Sequence, residues 1–83
     1  MTLLFPIGKM IDNASAFGRR LSHARKALGL TQRDLALAIG VGERFIVNLE
    51  AGKPTAQLGK ALAAAKAAGM RLVDASAPDA TSR

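Results

Sequence analysis

Apolar positions along this chain recur at helical intervals in four separate stretches. Phe17, Leu21, Ala24 and Leu28 share one face of a first helix, with Asp12, Asn13 and Ser15 as candidate N-caps and Gly29 as its C-terminal stop. Leu35, Ala36 and Ile39 align on a second helix that Thr31 is placed to cap. Phe45, Ile46 and Leu49 align on a third, running from about Gly42 to Ala51. Between these two lies Ile39-Gly40-Val41-Gly42, where Gly40 can take positive φ and Val41 plugs the angle between the helices. The pattern is a helix-turn-helix. A fourth helix is expected from a Thr55 cap to about Ala68, with Leu58, Leu62 and Ala65 inward and Gly69 closing it. Its small face of Ala61, Ala64 and Ala68 permits close packing on another helix. Met70 to Asp74 then reads as a short strand, which needs a partner for its backbone groups.

These elements divide the chain into an extended or flexible segment over 1–12, a helical domain over 13–69, a strand over 70–75 and a disordered tail over 76–83. The strand's partner is either Leu3 to Ile7 or the same segment of a second copy. Eighty-three residues allow one modest core. Without cysteine there is neither a disulfide framework nor a thiolate metal site. No apolar run reaches the roughly 20 residues of a membrane span, and the first ten lack the order of a signal peptide. A cytoplasmic protein is expected, with no membrane partner.

Charge narrows the class of partner. The chain carries a formal +6, and the nine basic and three acidic residues between positions 14 and 69 account for that same excess. A polyanion is the implied partner, although many solvated surfaces are mildly basic. Arg19, Arg20, His23 and Lys26 lie largely off the apolar face of the first helix. There they either touch DNA backbone or are simply solvated, the better reading for Lys26.

The stretch Leu28-Gly29-Leu30-Thr31-Gln32, then Leu35-Ala36, Ile39-Gly40-Val41, Ile46 and Leu49-Glu50-Ala51-Gly52-Lys53 resembles the helix-turn-helix of Xre-type and lambda-repressor-like proteins. The resemblance spans roughly residues 14 to 69 and is greatest to HipB-type antitoxins, chiefly because of the strand-like run after the last helix. It implies an all-α domain of four to five helices whose C-terminal strand pairs across a dimer. It further implies a bacterial repressor, associated with the nucleoid when bound to double-stranded operator DNA that is palindromic to match the homodimer. The HipB likeness adds autoregulation of a HipBA-like operon and neutralisation of a HipA-like Ser/Thr kinase toxin. A free-standing Xre-type regulator without a toxin is the alternative. A protein-interaction adaptor that no longer reads DNA is a third reading.

Within that resemblance the third helix is the base reader. Ile46 and Leu49 face inward, leaving Glu43, Arg44, Val47 and Asn48 to face outward. Arg44 suits guanine O6 and N7, Asn48 adenine N6 and N7, Glu43 cytosine N4, and Val47 a thymine methyl. An acid such as Glu43 is also what a helix N-terminus favours on its own. Gln32 matches a backbone-contacting glutamine of related repressors. Arg33 and Lys53 add phosphate contacts, and Gly42 leaves a free backbone N–H at the start of the reader. Gly42 and Phe45 depart from the family's usual small polar residues. In the resembled family an arginine at the position of Arg25 pairs with a glutamate at that of Glu50, otherwise two solvated charges. Catalysis is not expected: His23 is the one histidine, and no nucleophile–base pair, phosphate-cradling loop or metal-spaced cluster accompanies it. No cofactor is implied.

Overall fold

A computed structural model describes residues 10–74, and within them four helices follow one another: α1 (Ala14–Ala27), α2 (Gln32–Ile39), α3 (Glu43–Glu50) and α4 (Leu58–Ala67). Local chemistry sets most of their ends. Asn13 begins α1, its Oδ1 accepting from the amide of Ala16 at 2.7 Å. Thr31 begins α2 with a reciprocal cap. Its hydroxyl accepts from the Asp34 amide and the Asp34 carboxylate accepts from the Thr31 amide, both at 2.9 Å. Gly40, at φ +73°, ends α2 in the left-handed region, and the amide of Val41 donates back to the carbonyl of Ala36 at 3.0 Å.

The core gathers where α2 and α3 meet, with α1 laid on α3 and α4 on α2. Leu21, Leu35 and Ile46 are fully buried at its centre. Ala36 is also buried, and half-buried Val41 and Phe45 pack against the same cluster. Phe45 therefore belongs to the domain's own packing. At Gly18 in α1 the backbone of α3 comes close. A Cβ built there would stand 2.6 Å from the carbonyl oxygens of both Leu49 and Glu50.

Three expectations are corrected. Thr55 does not cap α4: Pro54 and Thr55 form a turn, and the helix starts after Gln57, which makes no side-chain cap bond. Leu58 and Leu62 do not face inward. They are 71% and 45% exposed, and the contact is made by Ala61, Ala64, Ala65 and Ala68. Side chains of one carbon let α4 approach α2 closely, which pushes the leucines to its flank. Leu28 is 55% exposed because it is the C-cap of α1, past the regular helical stripe.

Met70 to Asp74 form no regular element among the described residues. The leading segment with Leu3 to Ile7, and the tail from Ala75, lie outside the described residues. No helix among the described residues is long and apolar enough to cross a membrane.

Candidate nucleic-acid interface

Burial of α3 is one-sided, and that orients it. Ile46 and Leu49 are buried, so at 100° per residue the opposite side of the helix carries Arg44, Val47, Asn48 and Ala51. Arg44 is exposed, whereas Val47 and Asn48 are half-buried between their neighbours. Glu43 is exposed in the first turn, about a quarter-turn from that strip. Gly42 is exposed and extended, with no side chain to occupy the end of the helix. The strip thus presents a bidentate donor, an apolar contact and an amide in sequence, a set suited to base edges in a major groove.

An ion pair pins this helix at its far end. The Arg25 guanidinium donates from Nε to Glu50 Oε2 at 2.6 Å and from Nη2 to Glu50 Oε1 at 2.9 Å, while Nη1 donates to the Leu30 carbonyl at 2.7 Å. Both side chains are nearly buried, 8% and 7% exposed. Burial pushes the Glu50 carboxyl up. Hydrogen bonds from Arg25, Gln32 and Ser22 and the charge of Arg25 outweigh it, holding the group below the usual carboxylate range. The bond to Glu50 holds the Arg25 guanidinium above its ordinary value. One cluster thereby joins α1, the α1–α2 turn, the start of α2 and the end of α3.

Gln32 belongs to that cluster, its Nε2 donating to Glu50 Oε1 at 3.1 Å. One amide N–H remains for another acceptor. Arg33 is exposed beside it in the first turn of α2. The amides of Gln32 and Arg33 have no acceptor within the helix, which makes this end attractive to an anion. The Asp34 carboxyl, held below its ordinary range by the backbone N–H and hydroxyl of Thr31, is already committed to the cap.

Two concave surfaces flank the outward strip of α3. On one side Asn48 and Lys53 share a hollow with Phe45, Thr55, Gln57 and Lys60. On the other, Gln32 and Val47 share a cleft with Arg19, His23 and Lys26 of α1. Gln32, Arg44, Val47, Asn48 and Lys53 thus lie on or beside the surface that α3 presents, with Glu43 and Gly42 at its leading end, while Arg33 is placed only as an exposed residue of the first turn of α2. Sequence reasoning passed over the place of Lys60 in that hollow and the cap role of Asp34. The Thr-x-x-Asp spacing signals that cap, whereas the position of Lys60 depends on where α4 begins.

A model of the helix-turn-helix family matches residues 21–74. The chain belongs to that family. It is 50% identical over 56 residues to the "Uncharacterized HTH-type transcriptional regulator y4mF" of Sinorhizobium fredii (strain NBRC 101917 / NGR234), covering 68% of this chain and 74% of the relative. Among solved structures the fold matches a chain from a "HipB-O4 20mer complex" with a TM-score of 0.74, covering 82% of this chain and 96% of the other at 20% identity. The helix-turn-helix unit is α2 and α3, and the family match makes the protein a DNA-binding transcriptional regulator.

Proposed function

We propose that this helix-turn-helix protein is a sequence-specific repressor that reads operator DNA with Arg44, Val47 and Asn48. In this reading Gln32, Arg33, Gly42 and Lys53 hold the backbone, and Glu43 borders the base contacts. The observation that carries the proposal is the one-sided burial of α3. Buried Ile46 and Leu49 leave those three side chains outward, and the Arg25–Glu50 pair fixes the helix at that angle. Binding to the duplex upstream of the gene, compared with a scrambled duplex over a range of salt, tests it. Discrimination of about 10³ or more at physiological salt supports operator reading. Equal, steeply salt-dependent binding to both duplexes refutes it and favours the adaptor reading.

A homodimer is part of the same proposal. Leu58, Leu62, Leu72 and Val73 are exposed around one apolar groove that also takes in Met10 and Phe17. Side-by-side pairing of the Met70–Asp74 segment in two copies covers that groove. Two half-sites about 34 Å apart, or a multiple of that, are then required in a palindromic operator.

The likeness in fold to a HipB chain supports the narrower reading, an antitoxin that represses its own operon and neutralises a HipA-like Ser/Thr kinase. Co-expression with a kinase encoded beside this gene tests that step. A stable complex that silences the kinase supports it. A gene with no such neighbour leaves a free-standing regulator.

A further inference from the structure

We propose that the cleft between α1 and α3 seats a phosphodiester of the bound DNA, and that His23 is a proton-dependent contact to it. This rests on the DNA-binding reading above and adds to it a backbone site of stated chemistry. Arg19, His23 and Lys26 recur at intervals of four and three residues, so they form one stripe on α1. All three are exposed, and all line the cleft that Val47 and Ala51 bound from the other side. Val47 and Ala51 also belong to the outward strip of α3, so the cleft opens toward the DNA side of the domain. A helix about 10–12 Å across nearly fills a major groove about 12 Å wide, which brings a sugar–phosphate strand against each flank of the reader. The α1 stripe stands on one of those flanks.

The charges around His23 favour an anion. On its own helix they are Arg19, Arg20 and Lys26. From α2 the facing group is the neutral amide of Gln32, and from α3 it is Glu50. Both Glu50 oxygens already accept from Arg25, and one also from Gln32, so its charge is matched within the scaffold. Arg19 spends one guanidinium N–H on Ser15 Oγ at 2.9 Å and keeps the others. A phosphate entering here meets two permanent cations and an imidazole that can become a third.

His23 is the only histidine and the chain has no cysteine. Imidazole is the side chain that ordinarily changes charge between pH 5 and 8, where a phosphodiester stays ionised. A gain in affinity at lower pH that disappears when His23 is replaced therefore reports this contact.

The test is fluorescence-anisotropy binding to the upstream duplex and to a scrambled duplex at pH 6 and pH 8, for the full chain and for His23→Gln and His23→Lys. The wild type should bind both duplexes about five- to tenfold more tightly at pH 6, with their ratio unchanged, because a backbone contact does not read sequence. His23→Gln should lose that pH dependence, and His23→Lys should hold the tighter affinity at both values. The α-amino contribution is common to all three proteins and cancels. Far-UV circular dichroism confirms that the exposed substitutions leave the helices intact. Equal pH profiles for wild type and His23→Gln overturn the proposal. Equal affinity for both duplexes refutes operator reading yet still reports the seat, whereas binding to neither overturns both.

Discussion

Replacing Arg25 with alanine removes two bonds to Glu50 and one to the Leu30 carbonyl in a single step. It leaves a nearly buried carboxylate without its counter-charge. Breaking a buried pair from one side costs about 3–5 kcal/mol, whereas an exposed pair contributes at most about 1 kcal/mol. Glu50 keeps its bonds from Gln32 and Ser22, so the lower end applies, about 3 kcal/mol. A domain of this size has roughly 4–12 kcal/mol in all, so the variant should lose a large share of its stability. Its Tm should fall by at least about 12 °C. Urea denaturation at pH 7 followed by circular dichroism measures the loss. A cycle with Glu50→Ala and the double variant should give a coupling of about 2 kcal/mol or more. The pair also predicts the direction of acid sensitivity. The folded state holds the Glu50 carboxyl below its usual range, so its contribution is complete above the unfolded value near 4.3. It is lost as the pH falls through the folded value. Stability of the wild type should therefore drop below about pH 4 more steeply than that of the double variant. A loss under about 1 kcal/mol, additive single substitutions, or parallel acid profiles would show that the pair is only a solvated contact.

Other substitutions separate packing from recognition. Gly18→Ala should destabilise by about 1–3 kcal/mol in the same urea assay, since the added methyl meets two carbonyls of α3 and must push the helices apart. Gly40→Ala, at φ +73° with nothing within 4 Å, should cost only about 1 kcal/mol, a purely backbone effect. Arg44→Ala should lose about 1–3 kcal/mol at one base position, while Lys53→Ala should weaken all sequences alike and flatten the salt slope by about one contact. Leu62→Asp should shift gel-filtration mass toward a single chain at micromolar concentration. A mass identical to wild type would remove the apolar groove from the dimer proposal.

The helix order, the turn at Gly40 and the caps at Asn13 and Thr31 were legible in the sequence because each depends on residues within a few positions of one another. The Arg25–Glu50 pair, 25 residues apart, was legible only through family resemblance, since no local rule links those positions. Gly18 shows the opposite case. In isolation a glycine inside a helix reads as a weak point, and the two carbonyls that require it come from a segment more than thirty residues further on. For His23 the sequence leaves two readings, a DNA-backbone contact or plain solvation, for the same reason: its cleft exists only once α1, α2 and α3 converge.

The fourth helix carries the most consequence. Periodicity weights leucine above alanine, which pointed Leu58 and Leu62 into the core. Packing against α2 selected instead for size, and a stripe of alanines permits an approach that leucines would block. Had the leucines turned inward, α4 would stand further from α2 and the groove beside Met10 and Leu72 would lose much of its apolar wall. The residues that defeat the simple pattern are therefore those on which the dimer proposal stands. Two recognition helices can be held at a fixed spacing only if some such surface joins them.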